Sequence, residues 1–243
     1  MIMNTCINDD CLNWMRGVSD PFADLIMADP PFNIGFEYDS YCDSRDTDDY
    51  LWWCREWITQ CIKLLKPDGN MLICMGDEHV SDIDCLCKSL GLVRNNWIIW
   101  QYSFGVSGTL NTRKRFTRSK THILRFARKP TAYFNAIAVA EPSDRLTKYH
   151  DKRADPRGKC PNDVFVYNRI SGTHKSRVRG IPTQMPIALI KTWIKAMCPP
   201  NGIVFDPFAG SGATLLAAKE LGFNYLGIEI SCNYHKIILD RLA

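Results

Sequence analysis

Short apolar runs that end at a charged or turn residue recur along the chain. Each is followed by a stretch in which apolar positions return every three or four residues. Residues 24–29 read as a buried strand, and a helix follows from about 48 to 65 until the turn LKPDGN stops it. Residues 71–75 form the next strand, 80–90 a helix ending at Gly91, 97–102 an extended segment and 121–126 another strand before the Lys129-Pro130 break. From 131 to about 180 the periodicity fades and prolines and charges dominate, which predicts a small irregular insertion. Regular patterning returns with a helix over 186–197, a strand over 203–206, a helix over 213–221, a strand over 225–229 and a closing helix to 242. Alternation of strand and helix on both sides of the insertion predicts an α/β fold with one mostly parallel sheet and helices on both faces.

The 243 residues, 46% of them hydrophobic, suffice for a single domain over 1–243 carrying an insertion at about 104–180. No basic segment followed by an apolar stretch opens the chain, and nowhere do 18 apolar residues run together, so the expectation is a soluble, unexported, cytoplasmic protein without membrane contact. The eleven cysteines are scattered through core-like segments. They lack zinc-ligand spacing, so they read as reduced core residues and no metal is expected.

Charge changes the picture. Between Asn111 and Gly180 there are 18 Lys and Arg against five acids, a local net charge of +13, while the remainder of the chain carries −9. Positive charge confined to one region is what a polyanion-binding surface requires, although a solvated lysine-rich loop would also show it.

Two stretches carry candidate chemistry. In GIVFDPFAGSGATLLAAKELGFNYLGIEI, residues 202–230, a strand ends at Asp206, a Gly/Ser turn opens a helix, and a second strand ends at Glu229. Gly210 and Gly212 let a backbone approach a ligand closely, and an acid at the end of the next strand can accept from both ribose hydroxyls. The loop has neither the lysine of a P-loop nor GxGxxG spacing, which favours a nucleoside cofactor without phosphates, such as S-adenosylmethionine. In LIMADPPFNIGF, residues 25–36, an apolar run ends at Asp29 and two prolines hold Phe32 beside it. A rigid turn would explain the prolines but not the flanking acid and aromatic.

DPPF at 29–32, DPFAGSGAT at 206–214 and IPTQMP at 181–186 together resemble the catalytic motif, the cofactor loop and the HPTQKP box of the β-class amino-methyltransferases, which modify exocyclic nitrogens of DNA bases. INDDCL at 7–12 and THILRFARK at 121–129 extend the resemblance over nearly the whole chain. Catalytic motif first and cofactor loop last is the β order, unlike that of the glutamine methyltransferases of proteins. Ile181 and Met185 depart from the family, which usually has His and Lys there.

The resemblance implies a Rossmann-like methyltransferase fold in circularly permuted order. Asp29, Pro30, Pro31 and Phe32 are then catalytic. Asp10, Cys11, Asp29, Thr183, Gln184, Asp206, Pro207, Phe208, Ala209, Gly210, Ser211, Gly212, Glu229 and Ile230 hold S-adenosylmethionine. An exocyclic amine is a poor nucleophile because its lone pair is delocalised. Accepting its two N–H protons at the Asp29 side chain and the Pro30 carbonyl lets the nitrogen pyramidalise, while Phe32 stacks on the flipped base. No cysteine stands where attack on a ring carbon would need one.

Asp at the first motif position favours adenine N6. Cytosine N4 is the alternative, RNA a further one, and a noncatalytic DNA-binding or regulatory protein of the same fold a third. Double-stranded DNA is the expected partner, held by Arg113, Lys114, Arg115, Arg118, Lys120, Lys152, Arg153, Arg177 and Arg179, with Lys148, Arg157 and Lys159 assisting. A homodimer is compatible with the short recognition segment. The acidic stretch 33–50 either closes over the base or is a surface loop.

Overall fold

The structure is a computed structural model that describes residues 2–103, 114, 116–172, 174–181 and 183–243. Its elements, in chain order, are β1 (Thr5–Asn8), α1 (Cys11–Arg16), β2 (Ala23–Ala28), α2 (Thr47–Leu64), β3 (Leu65–Met75), α3 (Val80–Ser89), β4 (Val93–Gln101) and β5 (Lys120–Ala127). A 3₁₀ turn (Ile137–Val139), α4 (Asp144–Thr147) and β6 (Val164–Val166) follow, then α5 (Ile187–Met197), β7 (Ile203–Asp206), α6 (Ala213–Glu220), β8 (Asn224–Glu229) and α7 (Cys232–Leu242). Among the described residues, eight strands form one sheet in the order β1-β8-β7-β2-β3-β5-β4-β6. Only β5 runs against its neighbours, β3 and β4, so the other seven strands end on one edge.

Strand residues alternate between two packed layers, as a period of two requires. Ile26, Ala28, Met71, Ile73 and Met75 pack with α1, α2 and α3, whereas Leu25, Met27, Leu72 and Cys74 pack with α5, α6 and α7. All eleven cysteines are free and seven are buried. No helix among the described residues is long and apolar enough to cross a membrane.

Every regular element read from the sequence is present, with ends shifted by a few residues. LKPDGN differs: it is not a turn between elements but a bulge inside β3, where Ala23 faces Leu65 and Leu25 already faces Asn70. Gly69 permits it, because a Cβ there would lie 2.7 Å from Leu65 Cδ1. The insertion is more structured than its weak periodicity predicts, since β6 extends the sheet beside β4.

Beneath the insertion lies a buried polar cluster. Asn70, fully buried, donates from Nδ2 to the carbonyls of Tyr133 and Met197 (2.9 Å each) and accepts from Arg125 Nε at 2.9 Å. Arg125 also donates to Asn96 Oδ1, and its burial lowers its pKa to about 10. Removing Asn70 would strand a buried guanidinium N–H and two carbonyls. Asn70→Ala is expected to lose about 2–4 kcal/mol of unfolding free energy in chemical denaturation, against under about 1 for Asn95→Ala on the exposed side.

Candidate active site

The sheet reverses its direction of winding between β2 and β7: from β2 the chain crosses to β3 on one side, and from β7 to β8 on the other. Crevices form at the carboxyl ends of strands where winding reverses. Asp29 follows β2 directly, Asp206 ends β7 and Glu229 ends β8, so three carboxyls meet at this crevice.

Their environment is unfavourable to charge. Asp206 is 3% exposed, and burial, reinforced by the charges of Asp29 and Glu229, pushes its pKa up to about 7, although Thr214 and the Phe208 N–H (3.0 Å) donate to it. The Asp29 carboxyl opens to solvent on one side, but protein walls the others, and this burial raises its pKa to about 6. Glu229 is raised as well, by burial. Among the described residues, every ion pair lies elsewhere. The strain of three clustered acids with no cation partner among the described residues is one that a positively charged group would relieve.

The glycine turn is built around Glu229. One carboxylate oxygen accepts from the Gly210 N–H at 2.7 Å and the other from the Ser231 N–H at 2.9 Å. Gly210 and Gly212 have φ of 50° and 70°, the left-handed region that favours glycine. A Cβ on Gly212 would press on Ile238 of α7 at 3.1 Å, whereas one on Gly210 would meet only the Phe208 carbonyl, at 3.7 Å. The space above Gly210 is therefore open to a ligand, which suits the nucleoside reading of the loop.

Helix α2 binds the two motifs together. The fully buried Tyr50 donates its hydroxyl to the Pro31 carbonyl at 2.8 Å, fixing the turn that carries Asp29 and Phe32. One and two turns on, Trp53 and Trp57 pack edge-on against Phe208 of the glycine turn, with centroids 5.7 and 5.2 Å apart. Phe32 lies against Gly76, where a Cβ would come within 3.2 Å of the ring.

The stretch after DPPF is a strap folded on itself. Buried Asp43 accepts from the N–H groups of Asn33, Ile34 and Phe36 at 2.7, 3.1 and 2.9 Å, with Asn33 and Gly35 at positive φ. At its tip Asp39 accepts from Ser231 Oγ at 2.6 Å and Asn233 Nδ2 at 3.3 Å, so the strap crosses to the start of α7, beside Glu229. Tyr38 is thereby brought near Asp29, whose charge adds to burial in raising the phenol pKa.

The remaining expected residues divide. Asp10 is the N-cap of α1, accepting from Leu12 and Asn13, and Cys11 is buried behind it. Thr183 is exposed. The Gln184 amide is engaged locally, accepting from the Val178 N–H and donating to the Ser176 carbonyl. Ile181 and Met185 are buried, and Ile230 is 45% exposed. Arg113 and Arg115 lie outside the described residues, and Lys114 is exposed. Arg118 pairs with Asp77 and Glu78, Lys120 with Asp77, Arg153 with Asp151, Arg157 with Asp155 and Lys159 with Glu141. Tyr50, Asp43, Asp39 and Ser231 belong to none of the sequence motifs. The Tyr50/Trp53/Trp57 spacing along one helix face was the available sign for the first.

Residues 23–240 match the model of the DNA methylase family (N6_N4_Mtase). The chain is 31% identical to the type II methyltransferase M.HpaI of Haemophilus parainfluenzae, covering 97% of this chain and 73% of that one. It is 32% identical to the DNA adenine methyltransferase YhdJ of Escherichia coli K12, covering 98% and 82%. Among solved structures, the M1.HpyAVI–SAM complex superposes with a TM-score of 0.66 at 24% identity, over 98% of both chains. The cytosine-N4-specific PvuII DNA methyltransferase does so with 0.75 at 16% identity, over 98% of this chain and 86% of that one. At these identities the two structures show a common fold.

The buried acids carry a stability consequence. A carboxyl whose pKa is higher folded than unfolded weakens the fold as pH rises, fully so above the folded pKa. For Asp206 that window runs from about 4 to about 7. Asp206→Asn should therefore melt above the unliganded wild type at pH 8.5, with the gap shrinking towards pH 5. A gap independent of pH would contradict the electrostatic cause.

Proposed function

This chain belongs to the DNA methylase family, and from that premise we propose that it methylates adenine N6 in duplex DNA, using S-adenosylmethionine. The observation that carries the reading is the group of acids with no cation partner among the described residues, at the reversal point of the sheet, beside a DPPF turn and an open glycine backbone. When bound, S-adenosylmethionine supplies a methyl group activated on a positively charged sulfur. Its charge is what Asp206, Glu229 and Asp29 lack, and Glu229 has acceptor capacity left for ribose hydroxyls. The open approach at Gly210, flanked by Pro207, Phe208, Ala209, Ser211 and Gly212, suits the adenosine, and the motif resemblance assigns Asp10, Cys11, Thr183 and Gln184 to the same cofactor.

Toward the base, the Asp29 carboxylate and the Pro30 carbonyl each accept one N–H of the exocyclic amine, drawing both out of the ring plane. The lone pair so recovered would be directed at the methyl group that the bound cofactor supplies, and the surplus proton of the amine leaves through Asp29 to solvent. A carboxylate with a pKa of about 6 is a better transient acceptor than one near 4. Phe32 offers its face to the flipped ring, and Tyr50 acts on the reaction only by holding Pro31. The aspartate at the first motif position and the 32% identity with an adenine methyltransferase support adenine over cytosine.

Methyl-tritiated S-adenosylmethionine with mixed-sequence duplex, followed by nucleoside chromatography, is expected to place label in N6-methyladenine. Label in N4-methylcytosine would replace the base assignment, and binding of both ligands without label would favour a noncatalytic protein. Asp29→Ala should cut transfer by at least about 100-fold while the protein still binds cofactor, and Tyr50→Phe by about tenfold. Because the acids act ionised, single-turnover rate should fall as pH drops from about 7 to about 6.

A further inference from the structure

The basic region does not present one uniform surface. Between Glu141 and Lys159 four of the six cations, Arg145, Arg153, Arg157 and Lys159, are paired within the fold, while Lys148 and Lys152 are exposed with no carboxylate partner among the described residues. Asp151 accepts from Arg153 three ways, through backbone N–H, Nε and Nη2, at 3.0, 3.0 and 3.2 Å. Asp155 does the same for Arg157, at 2.9, 3.0 and 2.7 Å. These two Asp-x-Arg units are therefore turn clamps: each aspartate closes the backbone turn and holds the guanidinium two residues on. Arg145 also pairs with Asp151, and Lys159 with Glu141. Hydrogen bonds from the arginines hold both aspartates well below the usual carboxylate pKa. A phosphate approaching Arg157 also approaches the paired Asp155, whose repulsion offsets part of the attraction, and Asp151 does the same more weakly for Arg153, since it is shared with Arg145.

Residues 164–180 are different. They contain no Asp or Glu, and Arg169, Lys175, Arg177 and Arg179 are all exposed with no carboxylate partner among the described residues. Arg169 stacks over Tyr102 at 5.3 Å and Arg177 reaches only the Gly172 carbonyl. The path of this segment follows from the sheet. It leaves the carboxyl end of β6 on the far side of the sheet, where the Tyr167 carbonyl accepts from Trp100 Nε1 and Ser103 donates to Asn168. It arrives at α7, where a Cβ on Gly180 would lie 3.5 Å from Ile237, next to the Ile238 that supports Gly212. Both ends lie on the edge that carries Asp29, Asp206 and Glu229. The Gln184 amide pins its last turns through Ser176 and Val178.

We infer that residues 167–172 and 174–180 form the phosphate track of the DNA site, with Arg169, Lys175, Arg177 and Arg179 as its contacts, and that Arg153 and Arg157 of the Asp-x-Arg units shape the neighbouring lobe without touching DNA. This inference rests on the DNA-modifying function proposed above. It withdraws Arg153 and Arg157 from the expected contacts and adds Arg169 and Lys175.

The test compares two sets of variants by salt titration of mixed-sequence duplex binding, read by fluorescence anisotropy. In one set Arg169, Lys175, Arg177 and Arg179 become Ala. In the other, Arg153→Gln and Arg157→Gln are combined with Asp151→Asn and Asp155→Asn, leaving net charge unchanged. Each released phosphate contact lowers the slope of log K against log salt by about 0.9, so the first set should lose about 3 to 4 and the second less than about 0.5. A thermal shift with S-adenosylmethionine equal to that of the wild type verifies that each set is folded, and Lys at all three arginines of the track should restore most of the slope. An equal or larger loss in the Asp-x-Arg set would overturn the assignment. A wild-type protein that binds cofactor but shows no salt-dependent binding of duplex would instead overturn the DNA function on which it rests.

Discussion

Three carboxyl groups that face no cation among the described residues, gathered where the sheet reverses its winding, are the constraint from which the rest of the site follows. Two of them end adjacent strands and the third follows the strand next to these, so the sheet alone decides that they meet. Holding them there has a cost in the unliganded protein, visible in the raised pKa values of Asp29 and Asp206. Such a cost persists where a ligand relieves it, and a group carrying positive charge relieves all three at once. The glycine turn is arranged by the same acids, since Glu229 fixes Gly210 and Asp206 fixes Phe208 through backbone N–H groups.

On the proposed function, methyl transfer also requires the DPPF turn and the glycine turn to keep their separation, because an in-line displacement tolerates little misplacement. Helix α2 meets that requirement physically. Tyr50 holds the Pro31 carbonyl and the indoles of Trp53 and Trp57 abut Phe208, so one rigid face spans both motifs. The strap adds a third connection, from the DPPF turn through Asp43 and Asp39 to Ser231 and thus to the backbone that Glu229 also holds. A displaced strap would therefore be felt at both ends of the crevice.

Much of this was legible in the chain. Long strands and helices announced themselves by period, and the two motif turns were visible because strand ends carry Asp29, Asp206 and Glu229 against an apolar background. What escaped notice was short or set by distant partners. β1 and β6 span four and three residues, too few to display alternation. The bulge in β3 looked like a turn because Pro-Asp-Gly serves both uses. Asp43 and Asp39 read as generic acidic loop residues, since their value lies in three backbone N–H groups and a serine 192 positions away. Net charge marks a basic region but does not distinguish arginines clamped by aspartates two residues away from arginines with no carboxylate partner among the described residues. Spacing within DKR and DPR held that distinction, and its meaning emerged only with the turn geometry.

The central claim, that a cation completes a site of partly protonated acids, is tested most directly by counting protons when S-adenosylmethionine binds. Isothermal titration calorimetry at pH 6.5, in buffers of different ionisation enthalpy, gives that number. With Asp29 and Asp206 near 6 and 7, binding should release roughly one proton, and the release should fade by pH 8.5. Binding with no exchange of protons, or with uptake, would contradict the account.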